Sequence, residues 1–243
     1  MRWMALLLLF VLPLSADEGE KKKEEEVSKE RREAVRRFSK AQQTNRRKFH
    51  GHRWTKTEEA RLNREPRARR SFLMSLDKEG KLGSILRSSV RIQSRNPKLR
   101  MAVTDADRKA ERELIQWVEA AEKVINQYVY YETNAMARML LTAEVVDGRG
   151  AFEKTFQATG RGLIARGDLV RVWLDPESLE PLRLEYHARV AGTQVTGWVT
   201  YRRHKATGGY FPDRSQLDCR ARNIQLILRN TTPVSTTPTR AAK

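Results

Sequence analysis

Residues 182–203, LRLEYHARVAGTQVTGWVTYRR, carry the pattern that decides the fold. Apolar and polar side chains alternate over the first half of this stretch, and a period of two residues places them on opposite faces of a β-strand. The first apolar row consists of Leu184, Tyr186, Ala188 and Val190. After the turn residue Gly192 the second row consists of Val195, Gly197, Val199 and Tyr201. The two runs predict consecutive antiparallel strands, and neither face of the second strand is strongly polar.

Neighbouring segments extend the pattern into a meander over residues 168–230. Residues 169–174 predict a further strand, and Pro176 and Pro181 mark the turn after it, because proline cannot donate to a central ladder. Within residues 216–229 the apolar positions change parity, so we expect a β-bulge near Arg222 and Asn223. Alternation over residues 138–146 predicts another strand before the meander. The sequence therefore predicts a curved antiparallel sheet.

An amphipathic helix is predicted over residues 104–125. Thr104 is a suitable N-cap, and Asp107 stands three residues later, as in a capping box. Apolar residues then recur at helical spacing, with Trp117 as the largest. The predicted fold class is α+β: a curved antiparallel meander, or incomplete half-barrel, packed by one main amphipathic helix.

The N-terminal residues 1–16 have the pattern of a signal peptide. Arg2 precedes an apolar run over residues 3–14, which is too short to span a bilayer comfortably. Ser15 and Ala16 form a cleavage junction, although Leu14 occupies a position where a small residue is preferred, so an uncleaved anchor is the alternative. We expect an exported, periplasmic protein. Cys219 is the only cysteine, which excludes an internal disulfide.

Positive charge is concentrated in the first half of the chain. The net charge is +18; residues 17–103 hold 26 Lys and Arg against 13 Asp and Glu, and residues 104–243 hold 21 against 17. This asymmetry predicts a basic N-terminal arm, helical or disordered, that meets an anionic membrane surface or an envelope polymer. The residues expected to contact that surface are Arg87, Arg91, Arg95, Lys98 and Arg100. Nucleic acid is disfavoured because few aromatic side chains accompany the basic ones.

The predicted domain organisation follows from these segments. It comprises a signal peptide over residues 1–16, the basic arm over residues 17–103, a helix-plus-sheet domain over residues 104–230, and a disordered Thr- and Pro-rich tail over residues 231–243.

Two motifs of the meander, VRVWLDPESLEPLRLEY at residues 170–186 and GGYFPDRSQL at residues 208–217, follow the predicted helix. In this order they resemble the half-barrel superfamily of periplasmic proteins that includes the lipoprotein carrier LolA and the sensor RseB. A strand-joining W-x-D-x-x-x-x-x-P step of that superfamily is matched by Trp173, Asp175 and Pro181. The resemblance covers residues 104–230 and leaves the basic arm without a counterpart.

The resemblance implies an apolar cavity, enclosed by the concave face of the sheet, for acyl chains or a hydrophobic partner segment. It implies a lipid or a lipoprotein as partner. The candidate wall residues are Phe152, Phe156, Val172, Leu184, Tyr186, Val199, Tyr201 and Leu226. Apolar strand residues also build ordinary packed cores, so the alternative assignment of these residues is plain core.

We expect a non-catalytic protein without a cofactor or a metal. Glu185, His187 and Asp218 lie on the polar side of the predicted strands, but alternation alone produces such residues, and no nucleophile elbow or paired-carboxylate motif accompanies them. His50 and His52 lack further ligands nearby in sequence. The alternative to ligand carriage is an envelope scaffold whose basic arm binds an anionic surface or polymer. The sequence does not indicate the oligomeric state.

Overall fold

The computed structural model describes residues 18–77, 82–91, 105–148, 152 and 154–235. These ranges contain three α-helices: α1 (Glu18–Arg47), α2 (Asp105–Val129) and α3 (Thr133–Thr142). The strands that precede the meander are β1 (His52–Leu62), β2 (Glu65–Leu76), β3 (Leu82–Arg91), β4 (Glu144–Asp147) and β5 (Phe156–Arg161). The later strands are β6 (Leu169–Leu174), β7 (Pro181–Val190), β8 (Thr193–Arg203), β9 (Tyr210–Cys219), β10 (Ile224–Asn230) and β11 (Val234–Ser235).

All strands of the described ranges join one antiparallel sheet, in the order β3-β2-β1-β10-β9-β8-β7-β6-β5-β4, with β11 paired to β1. The sheet is open, with β3 and β4 at its edges. The predicted α+β class and the curved antiparallel meander are confirmed. Leu184 faces Val199 across the β7–β8 pair, in the register that the alternation requires.

Residues 52–91 correct the prediction of a helical or disordered arm. They form β1, β2 and β3, and β1 pairs with β10 from Lys56↔Asn230 to Leu62↔Ile224. Only α1 matches the helical part of the prediction. Strands were missed here because the helix-facing row of β1 includes Lys56 and Glu58, so hydrophobicity does not alternate along it. The predicted leader, residues 1–16, lies outside the described residues, and the division into domains stays a prediction.

The main apolar core lies between α2 and the sheet. Trp117, Ala121, Ile125 and Tyr128 recur on one side of α2 and are all buried. They pack with the apolar row of β6–β10, so α2 covers the sheet as predicted. The helix extends four residues beyond the predicted end at residue 125, because the Tyr- and Val-rich residues that follow continue its buried side.

The strand predicted over residues 138–146 is only partly present. Residues 138–142 belong to a helix, and the strand occupies residues 144–147. α3 ends at Thr142, and β4 begins at Glu144. The buried side chains Met136, Met139 and Leu140 follow a helical period. Ala, Met and Leu are strong helix formers. Side chains at every third or fourth position lie on one side of a helix, so a helix buries them together and a strand does not.

Two further expectations near the C-terminus are corrected. The parity change in residues 216–229 is not a bulge in one strand, because a turn at Arg220–Arg222 divides the segment into β9 and β10. Asn223 has the left-handed φ of 52° that lets the chain reverse there. In the predicted disordered tail, Val234 pairs with Arg53 as part of β11; residues 236–243 lie outside the described ranges.

Candidate functional site

A cavity of about 270 Å³ lies where the C-terminal end of α1 and the α2–α3 junction meet the sheet. Its wall is mainly aromatic and apolar. The aromatic lining residues are Phe49, Trp54, Tyr130, Tyr131, Tyr201, Tyr210 and Phe211. The aliphatic and proline lining residues are Leu76, Leu82, Val129, Pro181, Pro212 and Pro233. Gln42, Asn45, Arg46 and Glu132 complete the lining. This combination of apolar wall and few polar groups is typical of small-molecule sites.

Helix α1 closes one side of the cavity because its end is bonded to the sheet. The Asn45 side chain donates to the Tyr210 carbonyl at 2.7 Å and accepts from the Tyr210 amide at 2.8 Å. Arg46 Nη2 donates to the Tyr131 carbonyl at 2.7 Å. Farther along α1, Arg31 donates to the carbonyls of Leu141 and Ala143. The helix is thus held by both α3 and β9.

Three tyrosines line the cavity, and their hydroxyls have few hydrogen-bond partners. Tyr130 donates to Asn230 Oδ1 at 3.4 Å, and Tyr131 donates to Gln42 Oε1 at 3.5 Å; both contacts are long for O–H···O bonds. The Tyr201 hydroxyl has no partner among the described residues. Burial raises the pKa of Tyr130 to about 12, and it also raises the pKa values of Tyr131 and Tyr201. All three phenols therefore keep their protons at neutral pH.

Lys48 and Glu180 form an ion pair beside the cavity, in addition to the charged lining residues Arg46 and Glu132. Lys48 Nζ lies 3.9 Å from Glu180 Oε1, and Glu180 is 5% exposed. Burial raises the pKa of Glu180, and the Lys48 ammonium lowers it only in part. Lys48 also donates to the Gly208 carbonyl. The ammonium group therefore bridges α1 to two loops beside the cavity.

The central part of the sheet is packed solid beneath α2. The rings of Tyr128 and Tyr186 stack at 3.9 Å with an interplanar angle of 4°. The Tyr186 phenol lies over Gly197 on the next strand, where an added Cβ would overlap it. Tyr128 donates to the buried carboxylate of Asp168 at 2.7 Å. Tyr128, Tyr186 and Asp168 are all outside the cavity lining.

A buried ionic cluster lies between α2 and the N-terminal strands. Lys56 Nζ is 2.7 Å from Glu58 Oε1 and 3.1 Å from Asn126 Oδ1. Arg70 pairs with Glu122 of α2, and its Nε lies 3.7 Å from Glu58 Oε2. Lys56 and Glu58 are only 4% and 5% exposed. The cluster therefore connects β1 and β2 to α2 through ion pairs. The strands of the meander contact α2 through apolar side chains instead.

The predicted wall residues fall in three places. Tyr201 lines the cavity. Five belong to the packed core with exposed fractions of 2% or less: Val172, Leu184, Tyr186, Val199 and Leu226. Phe152 contacts Trp173, with ring centroids 5.1 Å apart, and Phe156 is half-buried in β5. Contact of these residues with a ligand stays a prediction.

The residues predicted to meet an anionic surface are only partly described. Arg87 is exposed on the edge strand β3, and Arg91 ends that strand. Arg95, Lys98 and Arg100 lie outside the described ranges. The structure presents a second basic surface on α1, a part of the predicted basic arm for which the sequence named no contact residues. Its exposed basic residues are Lys29, Arg32, Arg36, Arg37, Lys40, Arg46 and Arg47.

The side chains considered for acid–base chemistry lie on the face of the sheet that points away from α2. Glu185 is paired with Arg171 and Arg183, and Asp218 accepts hydrogen bonds from two glutamine amides. His187 is exposed. Among the described residues, no group of three or more His, Cys, Asp or Glu side chains could hold a metal ion. No helix in that part of the chain is long and apolar enough to cross a membrane.

Sequence reasoning missed most of the cavity because its wall comes from segments far apart in the chain. Gln42, Asn45 and Phe49 lie in the region predicted as a basic arm, and Tyr130 and Tyr131 lie beyond the predicted end of the main helix at residue 125. The available signal was the inward side of α1, where Phe38, Gln42 and Asn45 recur at helical spacing.

Comparisons with known proteins concern the fold. No protein-family model matches the chain, and no curated protein is similar to it. A DUF1329 family protein from Desulfovibrio piger is 8% identical, with a TM-score of 0.39, over 83% of this chain and 92% of that one. A domain named for outer membrane lipoprotein sorting, from Vibrio parahaemolyticus, is 12% identical, with a TM-score of 0.40, over 84% and 94%.

A LolA superfamily protein from Nitrosomonas europaea is also similar. It is 10% identical, with a TM-score of 0.36, over 81% of this chain and 94% of that one. These similarities agree with the resemblance indicated by the sequence motifs. They concern overall chain path and say nothing about individual residues of the cavity.

Proposed function

We propose that this chain is an exported, non-catalytic binding protein that holds a lipid or a lipidated or otherwise hydrophobic partner segment in the cavity beside α1. The observation that carries the proposal is the cavity itself: about 270 Å³ of space with a predominantly aromatic and proline-rich wall. Such a wall offers water few hydrogen bonds. An apolar group is stabilised there because its surface is removed from water. The periplasmic location rests on the predicted leader.

The size of the cavity limits what it can hold. Ligand pockets commonly measure about 300–1,000 Å³, so a volume of about 270 Å³ is at the small end. It suits a single acyl segment or one large apolar side chain. The several chains of a complete lipid anchor would extend beyond it.

Filling the cavity tests this function. Val129 lines it from the end of α2, and Val129→Phe places a ring in existing space. We expect at least a tenfold loss of affinity for the uncharged dye N-phenylnaphthylamine, measured by fluorescence titration, with an unchanged or higher thermal midpoint because the void is filled.

The matched control is Val118→Phe, on the same helix but outside the cavity lining. It should leave dye affinity within about twofold of the parent, since the ring adds no atoms to the cavity. Equal affinity in the parent and in Val129→Phe would contradict the proposal. So would a parent protein that binds no dye and yields no lipid on solvent extraction and mass spectrometry.

A second candidate function is attachment to an anionic surface, and the exposed side of α1 favours it. Lys29, Arg32, Arg36 and Lys40 follow one another at three- and four-residue steps and are exposed, so they form one basic stripe. Glu33 is the exposed acidic residue of the stretch 28–47. The occupant best matched by this stripe is a membrane surface with anionic headgroups.

Neutralising the stripe tests attachment. Replacing Arg32, Arg36 and Lys40 together with glutamine removes three charges, and each is worth about 1 kcal/mol near an anionic bilayer. We expect about a 100-fold loss of binding to phosphatidylglycerol vesicles in a sedimentation assay. Binding to phosphatidylcholine vesicles should be weak for both proteins.

The control removes the same net charge elsewhere. Arg161, Arg166 and Arg189 are exposed and lie outside α1. Their joint replacement by glutamine should weaken vesicle binding by less than about tenfold, because charges away from the membrane are screened beyond about 10 Å. An equal loss in both triple variants would mean that net charge, rather than the α1 stripe, drives attachment.

A further inference from the structure

Three arginines form a row across the face of the sheet that points away from α2. Arg183 of β7 lies opposite Thr200 of β8. Thr200 in turn lies opposite Arg214 of β9, which lies opposite Arg229 of β10. Leu184 and its cross-strand neighbours occupy the other face of the sheet and are buried, because successive side chains of a strand point to opposite faces. Arg183, Arg214 and Arg229 are called the arginine row below.

Two members of the arginine row oppose each other without an acidic partner. Arg214 and Arg229 are both exposed, and neither forms an ion pair with a carboxylate of the described residues. Like charges directly opposite on neighbouring strands are destabilising. Arg183 differs from them, since its Nε donates to Glu185 Oε1 at 2.9 Å. The opposition of Arg214 and Arg229 therefore costs stability, and no negative charge of the described residues offsets it.

An aromatic ring holds two guanidinium groups of the row close together. Arg183 Cζ lies 5.3 Å from the centre of the Trp198 ring, and Arg214 Cζ lies 5.8 Å from it. Contact with an aromatic ring attracts a cation but does not neutralise it, and the N–H groups of the guanidinium remain able to donate. Trp198 therefore positions two cations side by side on this face of the sheet.

The arginine row runs at right angles to the strands. Neighbouring strands are about 4.8 Å apart, so the row from β7 to β10 spans about 14 Å. Thr200 lies between two of the arginines, and Thr57 of β1 extends the row beyond Arg229. A row of this length, with cations and hydroxyl groups in line, matches an extended chain of repeated negative charges better than one small anion.

The protein itself does not supply a matching partner for this row. Residues 92–104 and 236–243 contain basic residues and no acidic ones. A second copy that docked through the same face would bring another arginine row against the first, and the two would repel each other. The charge of the row therefore matches a different molecule that carries negative charge.

The surroundings of the row favour ion pairs and hydrogen bonds over apolar contact. None of the large apolar side chains that are exposed in the described ranges lies on β7, β8, β9 or β10. A protein partner would need an apolar centre for its interface. Trp173 is buried, and Trp198 is half-buried and in contact with two guanidinium groups, so few rings are free for nucleic-acid bases to stack on.

We propose that the arginine row binds an acidic polysaccharide, whose carboxylates pair with the guanidinium groups while its hydroxyl groups contact the neighbouring threonines. Guanidinium and carboxylate groups match each other in shape and form paired hydrogen bonds. None of the three arginines lines the cavity, and none belongs to α1. The row is therefore a further binding surface, and it does not depend on whether the cavity holds a ligand.

The first experiment measures binding of polygalacturonate to the full chain at low salt by isothermal titration calorimetry. The double variant Arg214→Gln with Arg229→Gln should bind about tenfold more weakly, because two surface ion pairs are lost. Its thermal midpoint should equal or exceed that of the parent, since the opposed like charges are gone. The matched control, Arg32→Gln with Arg36→Gln, removes the same charge from α1 and should change the affinity by less than about threefold.

A charge reversal separates binding from folding. Arg214→Glu places a carboxylate opposite Arg229, so an ion pair between neighbouring strands replaces the repulsion. We expect a higher thermal midpoint together with at least about a 30-fold loss of affinity for polygalacturonate, because the new carboxylate also repels the polymer. Binding of N-phenylnaphthylamine should stay unchanged, since position 214 is outside the cavity lining.

Other results would overturn the proposal. Equal losses in the Arg214–Arg229 and Arg32–Arg36 double variants would make net charge responsible for binding. Tighter binding of a single-stranded oligothymidylate than of polygalacturonate, with the same dependence on Arg214, would make nucleic acid the ligand. A parent protein that binds no polygalacturonate would remove the ligand class. A lower thermal midpoint of both Arg214 variants would assign this arginine to the fold.

Discussion

Asp168→Ala is expected to lower the free energy of unfolding by about 4 kcal/mol. The carboxylate is 1% exposed and accepts hydrogen bonds from the backbone amides of Gly162, Leu163, Ile164 and Ala165 at 2.6 to 3.2 Å. It also accepts from the Tyr128 hydroxyl at 2.7 Å. Alanine would leave these donors without their acceptor, next to the Tyr128–Tyr186 stack; the Leu163 amide and the Tyr128 hydroxyl are buried, and the other three amides are partly buried. Chemical denaturation followed by tryptophan fluorescence measures the loss.

Two variants test the cause of this loss. Asp168→Asn keeps one acceptor oxygen but turns an NH₂ group towards donors, so we expect an intermediate loss of about 2 kcal/mol. Asp218→Ala removes a carboxylate that accepts from glutamine amides on the other face of the sheet. It should cost less than about 1 kcal/mol, because those amides can turn to water. Equal losses at positions 168 and 218 would refute the explanation by buried donors.

Glu58→Ala is expected to lower the free energy of unfolding by about 3–5 kcal/mol. The substitution leaves the Lys56 ammonium buried without its carboxylate and removes the negative charge beside Arg70. The double variant Lys56→Met with Glu58→Leu should recover most of the loss, because two apolar side chains of similar volume need no ionic partner. Urea unfolding of the parent, of Lys56→Met, of Glu58→Leu and of the double variant gives the coupling energy between the two positions.

The neighbouring acid serves as the control for this cluster. Glu59 points to the opposite face of β1 and pairs with Arg61 and Arg69 nearer to water. These arginines lower the pKa of Glu59 despite its partial burial. Glu59→Ala should cost no more than about 1 kcal/mol, as expected for a surface ion pair. A loss at Glu59 as large as that at Glu58 would show that the side of the sheet makes no difference.

The fold of the second half of the chain could be predicted because each element there has its own periodic signal. In β7, Leu184 and Tyr186 alternate with charged residues, and in α2 Trp117 and Ala121 recur at helical spacing; both patterns arise from burial against one partner layer. The turn between β6 and β7 was also predicted correctly from the sequence. Asp175 Oδ1 accepts from the Ser178 amide at 2.8 Å, and Pro181 starts the next strand.

The cavity could not be predicted from local sequence patterns, because its lining residues come from several segments that are far apart in the chain. Tyr201 was identified from its place in an alternating strand, but the same reasoning also selected Leu184 and Val199, which are packed core. Whether an inward-facing side chain meets a helix or a void depends on where that helix ends. Here α1 ends at Arg47, and the loop after it carries Phe49 to the cavity wall.

By itself, the sequence determined the α+β class, the antiparallel meander and the main helix, since local periodicity and turn chemistry specify each of them. Only the tertiary structure decided that residues 52–91 belong to the same sheet. Lys56 and Glu58 hide the alternation of β1, and their burial is acceptable only because Arg70, Glu122 and Asn126 complete the ionic cluster. The cavity depends on the same arrangement, because its wall combines Phe49 after α1, Trp54 of β1 and Tyr201 of β8.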